Sequence, residues 1–155
     1  MLRYIDYSNE MPLIFNRSKI NINNTLANIT NDINNSGEKL EENIDYSFKN
    51  KELLIEAMSH SSYINERKIN KTACNERLEF LGDAVLELAS SDYLFKKYGD
   101  IPEGKLSKMR AALVCEPALY ECSKAIDLGN YIRLGKGEEA GGGRNKPSVV
   151  SDAFE

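Results

Sequence analysis

The residues best suited to chemistry are acidic and fall in two groups. The first lies within Asn75-Glu76-Arg77-Leu78-Glu79-Phe80-Leu81-Gly82-Asp83-Ala84-Val85-Leu86. At about 100° per residue, Glu76, Glu79 and Asp83 share an arc of roughly 60° on a helix. Glu87 continues the stripe, and no lysine is interleaved. Like charges at this spacing destabilise a helix by about 0.2–0.5 kcal/mol per pair. Spacing alone leaves two readings: an ordinary solvated acidic face, which is the commoner case, and a cation site. The second group is Asp152 and Glu155, at i and i+3 in Ser151-Asp152-Ala153-Phe154-Glu155. A lone acidic pair of this kind means little. Together the groups offer oxygen donors from two helices with no His or Cys among them, a set that suits a hard cation such as Mg²⁺.

Two neighbours add weight to the cation reading. Phe80 sits at the edge of the acidic stripe, where a large aromatic wants a partner surface or packs under a loop. Gly82 costs about 1 kcal/mol relative to Ala inside a helix, which a close backbone approach would explain. Leu78, Leu81, Val85 and Leu88 fall on the opposite side of the helix and are expected to face the core.

The elements that must hold these groups read as helices. Leu40, Ile44 and Phe48 are spaced along one helical face. Asn50 can cap a helix through Leu53, Leu54, Ala57 and Met58, ended by Ser59-His60-Ser61-Ser62. A polar loop is expected from Asn65 to Asn75. The long acidic helix then runs from about Glu76 to Tyr98 and stops at Gly99. Pro102 and Glu103 restart a helix through Leu113, and another spans Glu116 to Ile126. Tyr131 to Leu134 leads into a glycine-rich loop, read as flexible, and Pro147 opens the last helix. No strand pair or internal repeat emerges, so the expected class is all-α. Residues 1–37 differ: they are rich in Asn and read as a mobile extension with a weak helix near Leu26 to Ile33.

Composition limits the alternatives. The chain has 155 residues, 41% of them hydrophobic, enough for one packed domain and an extension. Cys74, Cys115 and Cys122 form neither a CxxC pair nor a zinc pattern and read as reduced thiols. No apolar run reaches membrane-span length, and Asp6, Asn9 and Glu10 interrupt any signal-peptide core; the expected location is the cytoplasm. The glycine-rich loop lacks the GK[ST] ending of a nucleotide-binding loop, so no nucleotide cofactor is expected. The net charge of −4 weighs mildly against nucleic acid, but carboxylates loaded with a cation attract phosphate.

The segment NERLEFLGDAVL, Asn75 to Leu86, resembles the signature of ribonuclease III almost letter for letter. His60-Ser61-Ser62-Tyr63, Asp100-Ile101-Pro102-Glu103-Gly104, Leu134-Gly135-Lys136-Gly137-Glu138-Glu139 and Asp152-Ala153-Phe154-Glu155 are similar to further family segments, in the family's order, over residues 38 to 155. The resemblance implies the helical endonuclease-domain fold and Mg²⁺-dependent cleavage of double-stranded RNA, with Mn²⁺ as a substitute metal. It implies 5′-phosphate and 3′-hydroxyl products and a homodimer acting in rRNA and mRNA processing. Matched position by position, Glu79, Asp152 and Glu155 become metal ligands, Asp83 and Glu155 catalytic, and Glu76 a peripheral acid. Phe80 becomes the aromatic inserted into the second subunit. Arg110, Arg144 and Lys146 are candidate RNA contacts. His60, the only histidine, is expected to serve a turn rather than catalysis.

The resemblance also implies more chain than is present: the last helix continues in the family, and a double-stranded-RNA-binding domain follows it. The expectation is a catalytic domain with its last helix cut short, binding duplex RNA weakly and in a salt-sensitive way. The alternatives are a non-catalytic relative that binds RNA or ribosomes, and an inactive fragment. A short stand-alone form of the enzyme lacks ERLEFLGD and ranks below these.

Overall fold

The computed structural model describes residues 37–155. The Asn-rich extension, and the helix expected near Leu26 to Ile33 within it, lie outside the described residues. Helix α1 occupies residues 37–44 and buries Leu40. It does not run on to Phe48 as the apolar spacing suggests. Asp45 adopts a left-handed conformation (φ 50°) and turns the chain out of the helix, yet Phe48 still packs against the core. Its backbone N–H donates to the Glu41 carboxylate at 2.6 Å, and Lys51 pairs with the same group.

Helix α2 spans Lys51–Ala57, and Asn50 caps it as expected: its side-chain oxygen accepts from the N–H groups of Glu52 at 3.0 Å and Leu53 at 3.3 Å. The next segment departs from expectation. Where a turn was predicted, a further helix α3 spans Ser61–Arg67. His60 caps it, its Nδ1 accepting from the Ser62 N–H at 3.2 Å. A residue outside the usual capping set hides such a helix from sequence patterns.

Helix α4 spans Glu76–Lys97, α5 Glu103–Leu113 and α6 Glu116–Ala125. The glycine-rich stretch is not a plain loop. It contains the short helix α7, Lys136–Ala140, and a 3-10 turn at Gly143–Asn145. Arg144 organises this region: it pairs with both carboxylate oxygens of Glu139, at 2.5 and 2.6 Å, and donates to the carbonyls of Gly129, Asn130 and Ile132. Helix α8, Pro147–Phe154, starts at the proline as expected.

The core gathers Leu40, Leu54, Met58, Ile132, Val149 and Val150 among others, so α1, α2, the segment before α7 and α8 share it. Helix α8 lies chiefly along α6. Ser123, fully buried on α6, lets the two approach, its hydroxyl donating to the Leu119 carbonyl at 2.7 Å. One isolated bridge pairs Ser59 with Arg133: the Arg133 N–H donates to Met58 O at 2.7 Å and His60 N–H to Arg133 O at 3.1 Å. There is no strand among the described residues, so the domain is all-α.

One expectation about α4 fails. Leu81, Val85 and Leu88 were assigned to the core, but they are 48%, 55% and 71% exposed, and Leu94 is the buried residue of this helix. Periodicity identifies an apolar face; burial also needs an element to cover it. The helix meets α5, and more sparingly α2 and α8, which leaves much of that face open.

Candidate active site

The acidic face of α4 and the end of α8 meet at Gly82. A Cβ on this residue would lie 1.8 Å from the Glu155 carbonyl oxygen and 2.4 Å from its carbon, so only a glycine admits the main chain of α8 here. That contact accounts for the helix-weakening glycine noted in the sequence. It sets Glu155 against the first turns of α4. Glu79, Asp152 and Glu155 line one groove of about 580 Å³, with Asn75 and Gly82 beside them and Leu78, Leu81, Val85 and Phe154 on its apolar walls.

Electrostatics reports the same convergence. Partial burial, reinforced by Asp83, Glu79 and Asp152, pushes the Glu155 carboxyl up to about 7. Glu79 is also raised, first by burial and then by Asp152, Glu76 and Asp83. Asp152 is raised by burial and by Glu116, with His60 opposing. Carboxylates that raise one another in this way are poised to take up positive charge. Among the described residues, no group of three or more acidic, His or Cys side chains forms a ready-made coordination cage. The donor chemistry nevertheless fits a hard cation: four carboxylates from two helices, three of them half-buried. Glu79, Asp83, Asp152 and Glu155 are thus brought together. Glu76 and Phe80 are exposed, Phe80 at 82%, and neither lines the groove.

The candidate RNA contacts differ from one another. Arg110 donates to the Ser91 hydroxyl at 2.9 Å and ties α5 to α4. Lys146 stands 3.4 Å from Glu138 and is mostly exposed. Arg144 pairs with Glu139 and donates to three carbonyls.

Sequence reasoning missed two groups at the site. Glu116, in the first turn of α6, acts on Asp152 through space and reads in the sequence only as a helix start. Asn75 is 3% exposed, and its Nδ2 has no hydrogen-bond partner among the described residues. An Asn immediately before the acidic helix was the available signal.

Residues 50–155 match the family described as ribonuclease-III-like. The chain belongs to this family. It is 56% identical over 121 residues to ribonuclease 3 of Listeria monocytogenes, covering 78% of this chain and 53% of that protein. Against ribonuclease 3 of Oceanobacillus iheyensis the identity is 53% over 116 residues, covering 75% and 51%. The chain therefore spans about half the length of these ribonuclease III relatives. Among solved structures it is similar to the nuclease domain of ribonuclease III from Campylobacter jejuni, with a TM-score of 0.69 and 48% identity over 76% of this chain and 78% of that one. That structure is described for its flexibility in the region involved in dimer formation. The ribonuclease III resemblance drawn from the signature and the all-α class both hold.

Proposed function

We propose that the chain is the nuclease domain of a ribonuclease III that hydrolyses phosphodiester bonds in double-stranded RNA with Mg²⁺, leaving 5′-phosphate and 3′-hydroxyl ends. The observation that carries this reading is the approach of the Glu155 main chain to Gly82, with Glu79, Asp152 and Glu155 lining one groove, in a chain of this family. Glu79, Asp152 and Glu155 would hold the cation, and Asp83 would complete the centre. Bound Mg²⁺ supplies a water acidic enough to ionise near neutral pH and offsets phosphate charge. The protein side chains hold and orient: the Gly82 contact fixes Glu155, and half-burial keeps Glu79 and Asp152 from full hydration. His60 caps α3 and takes no proton in this scheme.

The reading includes a homodimer. Phe80 is 82% exposed on α4, and Leu88 on the same helix is 71% exposed. A two-fold arrangement would set one acidic centre at each strand of the duplex. RNA contact falls to Lys146 and Arg110 rather than Arg144, and rRNA and mRNA processing in the cytoplasm is the corresponding role. The alternative of a non-catalytic relative is disfavoured because Glu79, Asp83, Asp152 and Glu155 are all acidic.

The test is cleavage of a long duplex RNA by this chain with Mg²⁺. Asp83→Asn and Glu155→Gln are expected to abolish it while keeping the helical circular dichroism. Wild-type rates in both variants would overturn the site, and an inactive wild type would favour the fragment reading.

A further inference from the structure

The buried amide of Asn75 has no role in the fold that its environment explains. Its backbone is fully used: the N–H donates to Ser59 O at 2.9 Å, and the carbonyl accepts from the Glu79 N–H at 2.8 Å. Its side chain makes no capping bond to α4, although it stands at the capping position. The residue is 3% exposed, and Nδ2 lacks a partner among the described residues. A buried donor left unpaired costs about 1–3 kcal/mol, and such groups are rare enough to call for a reason. Apolar side chains of similar size would fill the same space without that cost.

The surroundings supply the reason. Asn75 lines the groove that Glu79, Asp152 and Glu155 line. Glu79 is four residues on along the same helix, the spacing at which an amide and a carboxylate meet on one face. The wall around them is otherwise apolar, with Leu78, Met58 and Phe154 nearby.

We propose that Asn75 is a positioning residue of the acidic centre: its Nδ2 donates to one oxygen of Glu79 when the centre closes on a divalent cation, leaving the other oxygen to face the cation. This rests on the cation reading given above. Partners of this kind fix the direction of a ligand, and their loss typically weakens metal binding by about 10–100-fold. An amide left unpaired costs stability, whereas one paired with Glu79 sets that ligand's direction.

The experiment compares Asn75→Leu and Asn75→Asp with wild type in the full chain. Mn²⁺ affinity is measured by titration calorimetry or electron paramagnetic resonance, and thermal melting is followed without metal. Leu removes the orphan donor at similar size, and Asp removes it with the shape kept. The expected result is at least a tenfold weaker Mn²⁺ affinity in both variants, with an unchanged or higher melting temperature for the Leu variant. A role in packing alone would move melting and leave Mn²⁺ affinity untouched. Affinity within twofold of wild type in either variant overturns the proposal. So does failure of both to fold, since a donor without a partner cannot be what holds the domain together. Absence of Mn²⁺ binding in wild type would overturn the cation reading and this proposal together; wild-type binding with unaffected variants strikes Asn75 alone.

Discussion

Replacing Gly82 by Ala tests the meeting of the two helices most directly, because two effects of known sign oppose each other there. In an open helix the change should stabilise the protein by about 1 kcal/mol, since Gly is the poorer helix former. Here the new methyl would stand 1.8 Å from the Glu155 oxygen, so that oxygen must retreat by about 1.6 Å to reach ordinary contact. The retreat strains or breaks the last hydrogen bond of α8, Glu155 N–H to Ser151 O at 3.1 Å, worth about 1 kcal/mol. Gain and loss nearly cancel, so the midpoint of urea denaturation should move by no more than the equivalent of about 1 kcal/mol. Cation binding has no such compensation. Moving the Glu155 main chain disturbs the direction of its carboxylate, and losses of positioning typically weaken metal binding by about 10–100-fold. Calorimetric titration with Mn²⁺ beside urea denaturation reads both quantities on one sample. A variant that gains the full helix-propensity increment and binds Mn²⁺ like wild type would show that α8 does not rest on Gly82, and the argument for a shared site would fall.

Stability of the cation-free protein should decline as pH rises. Glu155, Glu79 and Asp152 all titrate above their ordinary values, Glu155 at about 7. A carboxyl raised on folding favours the folded state while protonated and loses that contribution as pH climbs through the folded value. Urea denaturation at pH 5.5 and pH 8 without metal should therefore give the lower midpoint at pH 8, with Mg²⁺ restoring part of it; a flat or rising profile refutes the coupling. Phe80→Ala should leave monomer stability within about 0.5 kcal/mol, since the ring is exposed, while sedimentation shows weakened dimerisation; a monomeric wild type would refute the dimer. Arg144→Ala should destabilise the fold by about 2 kcal/mol, because Glu139 and three carbonyls lose their donor. Unchanged denaturation together with weakened RNA binding would return Arg144 to the RNA-facing surface.

Much of the architecture was legible because punctuation residues state it. Asn50, Gly99, Pro102 and Pro147 mark helix ends that the structure reproduces within a residue or so. The misses have local causes. Asp45 leaves the helical conformation without a glycine to announce it, and His60 caps α3 with a ring nitrogen. Helix α7 is only five residues long, set in a region organised by the tertiary bonds of Arg144. The carboxylate stripe on α4 was readable from spacing, and its partner pair on α8 was readable as a pair. That they share one groove was hinted at only by the cost of Gly82. The uncovered state of Leu81, Val85 and Leu88 was not readable at all, because periodicity carries no information about neighbours.

The bridge between Ser59 and Arg133 sets an order of events in folding. Its partners are 74 positions apart. Individual helices of this length form within about a microsecond, but closing so long a segment costs about 4 kcal/mol of chain entropy beyond a constant. Closure of the bridge is therefore expected to follow the local formation of α4, α5 and α6. The Arg133 and His60 amide protons that close the bridge should therefore exchange only on global opening, and fast exchange at both would refute this order.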